Sequence, residues 1–71
     1  MKKFYRLEWY LASEVDYKTK RLSNREIAER QYKELKECLG KGCWISLEEW
    51  VEKDEETGFE FNEQMHFTEI W

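Results

Sequence analysis

The chain reads as one small α+β domain over residues 1–71, a three-stranded, mainly antiparallel sheet with one helix packed on one face, in the order β-α-β-β. Three observations predict this. Apolar residues recur at every second position in three stretches, they recur at helical spacing in a fourth stretch behind a capping sequence, and the length admits only one thin core.

The first strand is expected over residues 3–12. Alternation puts Tyr5, Leu7, Trp9 and Leu11 on one face and Phe4, Arg6, Glu8 and Tyr10 on the other. Asp16-Tyr17-Lys18-Thr19-Lys20 reads as a turn, because an aspartate side chain can accept from backbone amides just ahead of it.

The helix follows. Ser23-Asn24-Arg25-Glu26 fits a capping box, with Leu22 and Ile27 as a hydrophobic staple across it, so the helix is expected to begin at Asn24. Ile27, Ala28, Tyr32, Leu35 and Leu39 then fall in one stripe. Gly40 stands where a left-handed cap would close the helix near Leu39.

Alternation resumes over residues 43–53, with Cys43, Ile45, Leu47 and Val51 on one face and Trp44, Ser46, Glu48, Trp50 and Glu52 on the other. Asp54-Glu55-Glu56-Thr57-Gly58 reads as a hairpin turn in which Gly58 takes the left-handed conformation. In the third strand Phe59, Phe61, Met65 and Phe67 form an apolar face opposite Glu60, Asn62, Gln64, His66 and Thr68. A helical crossover between the first two strands and a hairpin between the last two leave two arrangements, a mixed sheet or an antiparallel one with the third strand inserted. The expected spatial order is 1-3-2.

Four Trp, four Tyr and four Phe supply much of the apolar surface, each able to bury roughly 150–250 Å², enough to hold a small sheet against one helix. Nothing approaches the roughly 20 apolar residues of a membrane span, and the Met-Lys-Lys start leads into charged, alternating sequence. Two cysteines are too few for the disulfide framework of a small secreted domain. The expectation is a cytoplasmic protein with free thiols and no membrane contact.

Charge is divided along the chain. Residues 1–42 carry eleven Lys and Arg against seven Asp and Glu, a balance of +4; residues 43–71 carry one lysine against nine acids, a balance of −8. Clustered like charge of this kind attracts basic surfaces and repels nucleic acid.

Catalytic chemistry finds little to use. His66 is the only histidine, and no nucleophile is placed beside it. Cys38, Cys43 and His66 offer three metal ligands where a structural zinc site takes four. The acids around the hairpin are too closely spaced for a calcium loop, and there is no phosphate-binding loop, dinucleotide fingerprint or nucleophile elbow. The expectation is a protein with no catalytic residues, no metal site and no cofactor.

What remains is surface. With the helix on the face bearing Leu7, Trp9, Ile45, Leu47 and Phe61, the side chains of Phe4, Tyr10, Trp44 and Trp50 project from the other, unless residues 13–22 or Ile70-Trp71 fold over them. Glu48, Glu52, Asp54, Glu55, Glu56 and Glu60 add an acidic hairpin. These ten residues are the candidate protein-binding set, for a partner with a basic surface or for a second copy in a homodimer.

Small size and acidity resemble the accessory proteins of bacteriophages and other mobile elements, and carboxylates along a hairpin can imitate a phosphate track and so inhibit a nucleic-acid enzyme. Two other readings belong to different classes. Aromatics on the sheet could stack single-stranded nucleic acid, although Glu8, Glu48, Glu52 and Glu60 would repel its phosphates, or the chain could be a small enzyme without a recognisable motif.

Overall fold

The computed structural model describes residues 2–12, 17–53 and 58–71, and these form four strands and one helix. In chain order they are β1 (Lys2–Tyr10), β2 (Tyr17–Leu22), α1 (Arg25–Cys38), β3 (Trp44–Glu52) and β4 (Phe59–Glu69). One antiparallel sheet runs in the order β2-β1-β3-β4.

The α+β class, the helix and the antiparallel pairing agree with the sequence reading, but the strand count and order do not. Residues 17–22, of which 17–20 are expected in a turn, form a strand paired with β1 from Tyr10↔Tyr17 to Tyr5↔Leu22. This strand reverses the chain before the helix begins, so the helical crossover delivers β3 antiparallel and directly beside β1. A three-strand sheet needed an inserted strand to stay antiparallel, hence the expected order 1-3-2. The extra strand removes that need.

The helix packs over β3, β1 and β2. Alternation sends Tyr5, Leu7, Ile45 and Leu47 to the helix side, where they meet Ala28 and Tyr32; Leu7, Ile45 and Leu47 are fully buried. Burying each such side chain contributes about 1.5–3 kcal/mol, so these three residues anchor the thin core. Trp9, Leu22, Leu35, Leu39 and Met65 close its margin.

Both helix ends differ from expectation by one step. Asn24, not Ser23, is the N-cap: its side-chain oxygen accepts from the Ile27 amide at 3.0 Å. At the other end Leu39 is extended and returns its amide to the Lys36 carbonyl, and Gly40 is not left-handed. The glycines with positive φ are Gly42 and Gly58, the second closing the β3–β4 hairpin as expected, with the Lys53 amide on the Gly58 carbonyl at 2.7 Å.

Two bulges set the face of β4. Its register runs Trp50↔Phe61 and Glu49↔Glu63, then Glu48↔Gln64 and Leu47↔His66, so Asn62 and Met65 are the unpaired extra residues. Met65 reaches the core, while Phe59, Phe61 and Phe67 fall on the side away from the helix. Phe61 was expected under the helix; the hairpin pairs Glu52 with Phe59 and thereby assigns these phenylalanines to the face of Trp44 and Trp50.

Candidate functional site

The side of the sheet away from the helix bears eight aromatic residues in two groups. At one end Phe4 stacks on Trp50 (ring centroids 6.2 Å apart, planes at 17°), Phe59 meets Phe4 edge-on at 5.2 Å and Phe61 meets Trp50 edge-on at 5.5 Å. At the other end Trp44 contacts Tyr10 at 6.4 Å, Tyr17 at 6.0 Å and Phe67 at 6.2 Å. Phe4 and Tyr10 are six residues apart on one strand, which separates the groups by about 20 Å. Phe4 is buried within its group and Tyr10, Trp44 and Trp50 are half-buried, while Tyr17, Phe59, Phe61 and Phe67 are exposed.

A polar belt crosses the sheet between them. Arg6 Nη2 lies 2.8 Å from Glu48 Oε1 and Arg6 Nε lies 2.6 Å from Glu8 Oε1. Trp50 Nε1 donates to the same Glu48 oxygen at 3.2 Å, and the Arg6 guanidinium sits 4.7 Å from the Trp50 ring centroid. With Glu8 and Glu48 only about 15% exposed, this network is far less screened than an ordinary surface pair.

Arg21, on the neighbouring strand, lies over Phe4 at 3.9 Å and Phe59 at 4.5 Å, and among the described residues its carboxylate partner, Glu52, is 3.8 Å away. Arg21, Arg6, Phe4, Trp50 and Phe59 line a cleft of about 260 Å³.

Of the ten residues marked from the sequence, Phe4, Tyr10, Trp44, Trp50, Glu48 and Glu52 come together on this face. Glu60 does not; register turns it to the helix side, where it pairs with Lys53. Asp54, Glu55 and Glu56 lie outside the described residues. Sequence reasoning missed Tyr17 and Arg21, whose signal was the alternation of Tyr17, Thr19 and Arg21 against Leu22. It also missed the placement of Phe59, Phe61 and Phe67 beside the tryptophans, which depends on hairpin register and left no local signal.

Of the segments proposed to shield the face, residues 13–16 lie outside the described residues, and the described parts do not cover it. Residues 17–22 extend the sheet sideways, and beyond β4 the Ile70 amide bonds the Cys43 carbonyl at the end of the sheet, leaving Trp71 88% exposed. Comparison with protein families, curated proteins and solved structures finds no match to this chain.

Tyr32 stacks on His66 and its hydroxyl contacts Thr68 Oγ1 at 2.6 Å. Cys38 is exposed at the end of the helix and Cys43 is buried before β3; among the described residues no three potential ligands gather into a metal site. No helix among them is long and apolar enough to cross a membrane.

Proposed function

We propose that this chain is a protein-interaction module whose partner docks on the open face of the sheet. The observation that carries this reading is the pair of aromatic groups flanking a charged belt on a face that no other described element covers. An apolar surface of this extent, rich in Trp and Tyr, exceeds the scattered exposure of ordinary monomers.

The edges of the sheet support docking on the face and weigh against strand addition. β2 is only six residues long and carries Lys18, Lys20 and Arg21, while β4 is interrupted by two bulges and carries Glu60, Glu63 and Glu69. Short, charged or bulged edges resist pairing with a further strand. Nucleic acid is disfavoured by the face itself, where Lys2, Arg6 and Arg21 are set against Glu8, Glu48, Glu52 and Glu69.

The test is co-migration in size-exclusion chromatography at fixed concentration, in lysate of the native host and in buffer. Wild type migrates in a complex, Phe67→Ser migrates as the free chain, and Lys33→Ala on the outer helix surface behaves as wild type. A complex that survives Phe67→Ser and Trp44→Ser together overturns the reading. Oligonucleotide binding that Trp44→Ser abolishes would replace it with the nucleic-acid one.

A further inference from the structure

We infer that the occupant of the open face is a second copy of this chain, packed face to face about a twofold axis that runs along the strands between β1 and β3. The inference rests on the proposed docking face and goes further by specifying what docks and in which orientation.

The register supplies the argument. On the open face, β1 and β3 form matched rows: Lys2 beside Glu52, Phe4 beside Trp50, Arg6 beside Glu48, and Tyr10 beside Trp44. A twofold along the strands exchanges β1 and β3 between copies while keeping each row level. Each open-face cation of β1 then meets a carboxylate of the other copy, Lys2 on Glu52 and Arg6 on Glu48, and each open-face aromatic of β1 meets an aromatic of β3, Phe4 on Trp50 and Tyr10 on Trp44.

The outer strands follow the same exchange. Arg6 pairs in register with Arg21 and Glu48 with Gln64, so Arg21 of one copy comes over Gln64 of the other. Both have unused capacity for this contact. Among the described residues Arg21 has stacking contacts and one distant carboxylate at 3.8 Å, and the Gln64 amide nitrogen donates to Ser46 Oγ at 2.7 Å and the His66 carbonyl at 2.8 Å, which leaves its oxygen available to accept.

Charge also selects this axis over its rival. A twofold lying across the strands through the Arg6–Glu48 row would place Arg6 on Arg6 and Glu48 on Glu48, and like charges brought together out of water are strongly repulsive. With the axis along the strands, the belt of Arg21, Arg6, Glu8 and Glu48 is neutral in each copy, Arg6 and Glu48 are complementary between copies, and Glu8 comes over the neutral Ser46. Aligned sheet packing turns one sheet by about 30° relative to the other, and the belt is the middle row, where that rotation displaces partners least.

Size is adequate. Four strands at about 4.8 Å and nine residues at about 3.4 Å give a face of roughly 19 by 30 Å, about 570 Å² before side-chain relief is added. A stable interface takes about 800 Å² from each partner, which a corrugated aromatic face of this footprint approaches. The product is an eight-stranded sandwich with the helices outside.

Sedimentation of charge-swapped chains tests this. Wild type sediments as a dimer, and Arg6→Glu and Glu48→Arg each weaken dimerisation by about 30-fold or more. An equimolar mixture of the two variants restores the dimer, because both cross-copy contacts are complementary in the mixed pair, whereas the disturbed pairing within each chain is not repaired. Circular dichroism checks folding, and Lys2→Glu with Glu52→Lys is the second pair, at the rim, where loss of fold is less of a concern.

A wild-type dimer indifferent to both swaps, or one that mixing fails to restore although the chains are folded, overturns the inference. A wild type that stays monomeric at high concentration also overturns it. That result leaves the docking-face reading to the Phe67→Ser and Trp44→Ser chromatography, which asks whether any partner uses the face.

Discussion

The Glu49 carboxylate, only 3% exposed, accepts a hydrogen bond from the side-chain amide of Asn62, the extra residue of the first bulge in β4. Lys3 Nζ approaches the same oxygen at 3.6 Å from the other side. In an unbroken ladder Asn62 would stand opposite Glu49; the bulge gives that position to Glu63 and keeps Asn62, as the extra residue, beside the buried carboxylate.

Asn62→Ala should therefore destabilise the fold by about 1–3 kcal/mol, since it removes a partner from a buried acceptor. Chemical denaturation of Asn62→Ala, Glu49→Ala and the double variant measures the coupling. Additive losses would show that the two residues act independently.

At the start of the helix, Asn24→Ala should cost about 1 kcal/mol, or about 4–8 °C in melting temperature for a chain of this size, because the Ile27 amide loses its acceptor. Ser23→Ala should change stability by less than about 0.5 kcal/mol, as expected of a surface substitution away from a cap. The reverse ranking in paired thermal melts would return the cap to Ser23.

Gly58 and Gly40 separate on backbone conformation alone. A methyl group added at either would meet no atom within 4 Å, but Gly58 has φ of +68° and Gly40 is not in the left-handed region. Gly58→Ala should thus destabilise by about 1 kcal/mol, and Gly40→Ala should be neutral or stabilising by up to about 1 kcal/mol. Equal effects in urea titration would contradict the assigned hairpin geometry.

Zinc should leave the melting temperature unchanged, since Cys38 is exposed on the helix, Cys43 is buried ahead of β3, and His66 stacks on Tyr32. A stoichiometric rise in melting temperature, reversed by a chelator, would point to a site shared between chains.

The sequence alone determined the features that rest on local periodicity and local backbone chemistry. Alternation in residues 3–12 and 43–53 assigned Leu7, Ile45 and Leu47 to one face and Phe4, Tyr10, Trp44 and Trp50 to the other, because the side-chain period of a strand is two whatever it pairs with. The helical stripe through Ala28, Tyr32, Leu35 and Leu39, and the left-handed Gly58, were legible for the same reason.

Only the tertiary structure decided what depends on pairing. Tyr17–Leu22 has the charge of a solvated turn and is a strand because β1 offers it an edge, and that reversal fixes the antiparallel order of the whole sheet. Phe59 and Phe61 share a face by their spacing and Phe67 rejoins it because the two bulges cancel, but which face follows from the pairing of Glu52 with Phe59 across the hairpin. A slip of one residue would have turned them toward the helix, because register, unlike periodicity, is a relation between two strands and is written in neither one.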